Sequence, residues 1–306
     1  MDWERIKQRV QEDDQNKWDL RANGGDLTFV PDSTLRVRQN SDLQVYRLSE
    51  FALTQLCQRL AIPARYFKRL PAGMQVELAN YDLGRLPDAG FLIRGRGEAI
   101  RAVLSDRYVA YNNREVIEAA EAAVRGDGLV VRSFVLEEVG MFLKLTSTTF
   151  TDDALQLKAG VMIGNSEVGF AQVTVEPFVY CKPCTNDLIV AEQAAFRHRH
   201  LNFLQEKFSE HISSGIEHAL TLAWDALGAA RVADEQRVED PSNEIQQLGK
   251  TWKLEVRVIA AALAAFEAEP RATRFGVANS FTRAAQRLQP MERIGVERLA
   301  GRLLAA

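Results

Sequence analysis

GVMIGNSEVGFAQVTVEPFVYCKPCTNDLIV, residues 160–190, is rich in β-branched and aromatic residues and contains two polar turns, GNSEVG and CTND. β-Branched and aromatic residues favour strands, and short clusters of Gly, Asn, Asp and Ser favour turns. We therefore expect this stretch to form strands of a sheet that are joined by tight turns. Mixed helical and strand patterns precede it, and helical patterns follow it.

Strand patterns occur both within this stretch and on its N-terminal side. The longer ones are expected at 129–138, 141–150, 155–163 and 170–180, and a short one at 188–190. Their short connections favour an antiparallel meander. Weaker strand patterns occur near 27–30, 35–37, 43–48, 91–93 and 100–104.

Helical spacing of apolar residues appears in three regions. Ser49 is a favourable N-cap for a helical unit over 49–86, and Asn112 or Asn113 is expected to cap a helix that ends near residue 124. From about residue 192 the pattern is helical, with segments predicted at 192–233, 243–268, 276–288 and 291–305.

These elements predict an α+β fold: a twisted, mainly antiparallel sheet backed by helices and followed by a C-terminal helical region. Residues 1–44 are expected to form an N-terminal helix and an irregular arm. Residues 45–191 form the predicted α+β sheet domain, and residues 192–306 form a helical region packed on or beside the sheet.

Composition limits the function classes. The 306 residues carry a net charge of −3, whereas proteins that coat nucleic acid without specificity are usually basic, so a nucleic-acid role requires a local basic face. Three cysteines do not make a disulfide framework, which predicts a reducing, cytoplasmic environment. The charged N-terminus is unlike a signal peptide, and no apolar run approaches the roughly 18 residues of a membrane span. No cofactor is predicted.

Four ordered motifs carry a family resemblance: LTQLCQRLAIPARYFKRLP (53–71), RAVLSDRYVAYNNREVIEA (101–119), the turn-containing stretch 164–190, and FGVANSFTRAAQRL (275–288). Together they resemble the family of phage- and plasmid-borne proteins called domain of unknown function 932. Gly164, Asp187 and Ser280 depart from the residues that are usual there. The resemblance implies an accessory protein in the company of recombination and single-strand-handling genes, and it implies no particular chemistry.

Arginines are concentrated between residues 94 and 114, with a second arginine-histidine cluster at 197–200. Arginine pairs with phosphates and tyrosine offers a stacking face, so these segments predict a groove for single-stranded nucleic acid. Such a protein is expected to act as a homo-oligomer, in a ring or filament, as annealing proteins do. The predicted nucleic-acid-binding residues are Arg94, Arg96, Arg101, Arg107, Tyr108, Arg114, Arg197 and Arg199.

The two turns of the central stretch predict a different kind of site. If they met at one edge of the sheet, their polar side chains would frame a pocket; those side chains are Asn165, Ser166, Glu167, Thr185 and Asn186. One alternative is therefore an enzyme that uses Glu167 with His198 or His200, with or without a metal. Another is a protein-interaction or anti-host-defence factor, for which the net charge is no obstacle. Ordinary turn chemistry explains the same residues equally well.

The cysteine spacing allows a metal site with four ligands: Cys181, Cys184, His198 and His200. Structural zinc sites usually separate two histidines on one helix by three to five residues, and here only one residue separates them. The C-x-x-C pair is followed by a turn rather than by the helix that a redox pair requires. The sequence therefore favours packing and turn roles for the cysteines, without a metal.

Overall fold

The computed structural model describes residues 2–39, 42–124, 128–182, 186–190, 196–198 and 207–305. Helices and mostly antiparallel sheets are both present, which confirms the predicted α+β class. Two separate sheets form, however, where a single sheet was expected. Within the described ranges, no helix is long and apolar enough to cross a membrane.

The strands fall into two groups along the chain. The first group is β1 (Lys17–Asn23), β2 (Leu27–Val30), β3 (Thr34–Gln39), β4 (Asp42–Leu48), β5 (Gly90–Arg96) and β6 (Ala99–Ser105). The second group is β7 (Leu129–Leu136), β8 (Met141–Asp152), β9 (Leu157–Asn165), β10 (Val173–Cys181), β11 (Asn186–Ile189) and β12 (Phe196–His198).

Helices precede the first group of strands, interrupt it, separate it from the second group and follow the second group. The first five are α1 (Trp3–Asp13), α2 (Glu50–Arg59), α3 (Ala64–Phe67), α4 (Ala72–Gly84) and α5 (Asn113–Ala123). The C-terminal ones are α6 (Phe208–Glu235), α7 (Pro241–Thr251), α8 (Val256–Ala268), α9 (Arg274–Ala285) and α10 (Pro290–Ala305).

The first sheet has the strand order β1-β5-β6-β4-β3-β2, and only the short β4–β6 pairing is parallel. Helices α2 and α4 cover one of its faces, where Leu56 and Leu83 pack with strand residues such as Leu35 and Ile93. The strands β2 and β3 have burial patterns that alternate with period two, and β4 is exposed along most of its length. Their other face is therefore turned to solvent.

The second sheet has the antiparallel order β11-β10-β9-β8-β7, and β12 also pairs with β10. The long helix α6 crosses one face, where Ile212 and Ile216 join a core with Ile163 and Val175. Helix α10 lies on the opposite face, where Ile294 packs with residues of β8, β9 and β10. This sheet is therefore buried on both faces along much of its length, which explains the near-continuous apolar runs in β8, β9 and β10.

Two segments differ from the sequence-based expectation. Within the N-terminal arm, β2 and β3 form where weak strand patterns were predicted, but β1 was not expected; Trp18, Leu20 and Ala22 of β1 alternate toward the core of the first sheet. The helix predicted from residue 192 begins only at Phe208 in α6, and residues 196–198 form β12 instead. The apolar residue Phe196 pairs with Val175 at the sheet edge, so long-range pairing outweighs the local helical pattern there.

Candidate functional site

The GNSEVG turn connects β9 to β10 and packs against the first sheet, where Val168 joins an apolar cluster with Leu92 of β5 and Leu104 of β6. Glu167 at its tip has a side chain that is only 2% exposed. Its Oε2 lies 2.7 Å from Lys17 Nζ and 3.4 Å from Arg101 Nη1, and its Oε1 accepts a 2.8 Å hydrogen bond from the backbone N of Asn113. Because Asn113 begins α5, the carboxylate also compensates the positive end of that helix.

Lys17 is enclosed by three carboxylates. Its ammonium group contacts Asp13 at 2.6 Å and Asp14 at 2.9 Å, besides Glu167. Burial disfavours the charged form of Glu167, but the nearby Lys17 charge and the hydrogen bonds outweigh it and hold the pKa of Glu167 below its ordinary value. Burial also opposes the charge of Lys17, and the carboxylates outweigh it and raise the Lys17 pKa. Glu167 is thus held as an anion, which removes it from general acid catalysis at neutral pH.

Arg94 and Arg101, predicted to face phosphates, point into the protein and are 5% and 6% exposed. The guanidinium of Arg94 donates to Asp19 Oδ1 at 2.8 Å, to the backbone O of Glu167 at 2.7 Å and to the side chain of Asn112 at 2.7 Å. Arg101 pairs with Glu138 as well as Glu167. Arg94 also lines an open cleft of about 440 Å³, but Asp14, Asp19 and Glu115 line the same cleft, so acidic side chains there balance the charge of the arginine.

Other predicted residues of this region join the same network. Asn165 donates to the backbone O of Tyr111 and to Asn113 Oδ1, at 2.9 Å each. Tyr108 is buried, its hydroxyl donates to the backbone O of Ser166 at 3.0 Å, and burial raises its pKa. Its ring is therefore not available for stacking on a base. Ser166 Oγ accepts from the backbone N of Phe170.

Two further arginines of residues 94–114 form ion pairs nearer to the surface. Arg96 contacts Asp13 at 2.6 Å, and the more exposed Arg114 contacts Asp14 at 3.3 Å. Arg107 is exposed in the turn after β6. Residues 94–114 therefore do not line one basic groove: most of their arginines tie α1, β1 and the GNSEVG turn together.

The CTND turn takes part in a second buried cluster of charges. Asp187 Oδ2 lies 2.7 Å from Lys144 Nζ, and Lys144 also contacts Glu297 of α10 at 2.6 Å. Asn186 donates its amide to Asn279 Oδ1 at 2.8 Å and to Thr282, both in α9. Thr185 lies outside the described residues. Asn186 and Asp187, at the start of β11, therefore fasten the C-terminal helices to the second sheet.

The expectation of a pocket framed by both turns is wrong, because strand β10 separates them. GNSEVG precedes Val173 at the start of β10, and Asn186 pairs with Cys181 at its end. Nine residues of strand span about 27 Å at the usual rise of about 3.4 Å per residue. An enzyme site that draws on Glu167 and Asn186 together is therefore excluded by the register.

The register also separates the predicted metal ligands. His198 pairs with Val173, whereas Cys181 lies at the other end of the same strand, and two side chains cannot bridge about 27 Å to share an ion. Cys184 and His200 lie outside the described residues, as does Arg199. Arg197 is exposed on β12, next to His198.

A basic surface that the motifs did not indicate lies on the open face of the first sheet. Arg36 and Arg38 of β3 and Arg47 of β4 are all exposed. In the antiparallel register Arg36 is opposite Val45 and Arg38 is opposite Leu43. Leu43 is 56% exposed and Val45 is 54% exposed. We call these five residues the arginine face.

No acidic side chain belongs to the arginine face. The neighbouring outward-facing residues Thr28 and Thr34 are neutral, and among the ion pairs found in the described part of the chain none involves Arg36, Arg38 or Arg47. The period-two pattern TLRVRQ, residues 34–39, placed two arginines on one side of a strand. That pattern was the sequence signal available for this surface.

Comparisons with family models, with curated proteins and with solved structures give no match for this chain. The resemblance to the phage and plasmid family stays a prediction, and the case for function is made from geometry and charge alone.

Proposed function

We propose that the protein binds single-stranded nucleic acid through the arginine face. The observation that carries the proposal is the presence of three exposed arginines, without ion-pair partners among the described residues, around two exposed aliphatic side chains on an open sheet. Such a surface attracts phosphates although the whole chain has a net charge of −3. This assignment moves the predicted binding function from residues 94–114 to β3 and β4.

The geometry favours a single strand over a duplex. Arg36 and Arg38 are two residues apart on one strand, about 6.8 Å, and β4 lies about 4.8 Å away from β3. Arginines at this spacing pair with successive phosphates along one chain. Leu43 and Val45 lie between them and offer apolar contact to bases, which only an unpaired strand exposes. Hydrogen-bond readout of sequence is not expected, because no amide side chain belongs to the face.

Fluorescence anisotropy tests this function with a labelled oligothymidylate of about 16 nucleotides, the upper site size for common single-strand-binding folds. We expect wild-type protein to bind at low salt and the variant Arg36→Gln/Arg38→Gln/Arg47→Gln to bind at least tenfold more weakly. All three positions are exposed, so the substitutions leave the fold intact.

A matched control removes the same amount of charge elsewhere. Arg65→Gln, Arg69→Gln and Arg287→Gln replace three exposed arginines, two of them near α3 on the opposite side of the first sheet. This control is expected to keep wild-type affinity. Equal losses in the two variants would mean that only overall charge matters, and absence of any binding by wild-type protein at low salt would reject the function. Retained binding to an acidic protein but not to the oligonucleotide would favour the interaction-factor alternative.

A further inference from the structure

A half-open cleft of about 390 Å³ lies where the end of α8 and the start of α9 meet the β8–β9 hairpin. Its walls are part polar and part apolar, and Leu155, Cys181, Phe266 and Phe275 form the apolar part. Phe275 and Cys181 are almost completely buried, so this part of the lining is fixed by the core. The volume lies within the range of about 300–1,000 Å³ that is usual for small-molecule sites.

Two arginines stand at the cleft. Arg283 of α9 pairs with Glu269, and Arg271 lies over the ring of Phe275 with its guanidinium carbon 5.5 Å from the ring centroid. Arg271 also pairs with Asp234. The mouth therefore places two arginines, each paired with a carboxylate, beside an aromatic wall.

The two side chains of the Arg283–Glu269 ion pair differ in their exposure to solvent. The side chain of Arg283 is 26% exposed, whereas that of Glu269 is 58% exposed. An ion pair with so exposed a partner contributes little to stability, because water and salt screen it. An anionic group held inside the cleft would meet the same guanidinium in a less polar environment, where the attraction is stronger.

Hydrogen bonds to neighbouring residues hold the polar side of the cleft in place. Asn279 lines the cleft, and its side-chain oxygen accepts the amide of Asn186 from the CTND turn. Ser280 is 2% exposed and donates to the backbone O of Val277. The CTND turn and the ANSFTR segment of α9 thus converge on this cleft, which accounts for two motifs that the arginine face does not use.

We propose that the cleft binds a small organic anion. Its aromatic or branched aliphatic body would pack on Phe266 and Phe275, and its carboxylate or sulfonate would pair with Arg283 in place of Glu269. The site lies in the C-terminal helical region and does not depend on the arginine face.

The test uses the full chain and the fluorescent probe 8-anilinonaphthalene-1-sulfonate, an apolar anion. We expect saturable binding that becomes about tenfold weaker in Arg283→Gln and stays unchanged in Arg287→Gln, the matched control at an exposed position outside the cleft. Ala265→Leu, which narrows the cleft from the α8 side, is expected to weaken binding as well. Far-ultraviolet circular dichroism verifies that each variant is folded.

A competition experiment examines the charge requirement. Phenylbutyrate is expected to displace the probe, and the neutral phenylbutyramide, which has nearly the same shape, is expected to displace it at least tenfold less well. Absence of saturable probe binding, equal affinity in Arg283→Gln and Arg287→Gln, or equal displacement by the acid and the amide would each overturn the proposal. Ala265→Leu changes the volume of the cleft and not its charge. This variant therefore still tests the site if Arg283→Gln proves unstable.

Discussion

Replacing Glu167 with glutamine removes one buried negative charge and keeps the shape of the side chain. In the folded protein this carboxylate meets Lys17 Nζ at 2.7 Å and Arg101 Nη1 at 3.4 Å, and its side chain is 2% exposed. Removing one partner of a buried ion pair typically costs about 3–5 kcal/mol. Lys17 keeps its contacts with Asp13 and Asp14 in this variant. We therefore expect the free energy of unfolding to fall by about 3 kcal/mol, the lower end of that range.

Urea unfolding, followed by circular dichroism, measures this loss as a change in the free energy of unfolding. Glu138→Gln is the matched control, because Glu138 contacts the same Arg101 but its side chain is 49% exposed. Exposed pairs contribute about 1 kcal/mol or less. A loss below about 1 kcal/mol for Glu167→Gln, or equal losses for the two variants, would refute the view that Glu167 locks the GNSEVG turn to the first sheet.

Three further outcomes are expected. In the folded protein the pKa of Glu167 lies below its ordinary value of 4.5. The contribution of this carboxylate to the free energy of unfolding is therefore fully present above pH 4.5 and is lost as the pH falls through the folded pKa. In acid titrations, the difference in stability between wild type and Glu167→Gln should narrow below pH 4.5. Lys144→Met removes the more buried of two cations that Asp187 and Glu297 share, the other being Arg293, and should cost about 3 kcal/mol in guanidinium unfolding. The exposed Lys182→Met should cost about 0.5 kcal/mol or less. Gly95→Ala would place a methyl group 2.1 Å from the indole of Trp18, and calorimetry should show a loss of about 1–3 kcal/mol.

Local patterns predicted most of the secondary structure because their causes are local. Ser49 was expected to cap a helix, and its hydroxyl accepts the backbone N–H of Ala52 at the start of α2. Similarly, α5 begins at Asn113, and Glu115 in its first turn accepts the backbone N–H of Asn112. Capping and apolar periodicity involve residues three to seven apart, which the sequence displays directly.

The roles of the arginines depended on partners that are distant in the sequence. Arg94 is 75 residues from Asp19, and Lys17 is 150 residues from Glu167. Local composition shows that arginines are clustered, but it does not show which of them a folded chain neutralises internally. Burial therefore removed Arg94 and Arg101 from the predicted groove, whereas Arg36 and Arg38, in and beside the weak strand pattern at 35–37, remained exposed.

The separation of the two turns, in contrast, followed from an element that the sequence already predicted. One strand that runs between two consecutive turns places them at opposite ends of the sheet. The predicted strand over 170–180 therefore implied that GNSEVG and CTND do not meet. Each turn instead has its own buried cluster of charges, one around Glu167 and one around Asp187.

The salt dependence of oligothymidylate binding tests the proposed function most directly. For single strands, the slope of log K against log salt concentration changes by about 0.7 for each phosphate contact. The variant Arg36→Gln/Arg38→Gln/Arg47→Gln is therefore predicted to have a slope shallower than wild type by about 2, and the control with Arg65, Arg69 and Arg287 replaced is predicted to keep the wild-type slope. Identical slopes for wild type and the arginine-face variant would contradict nucleic-acid binding at this face.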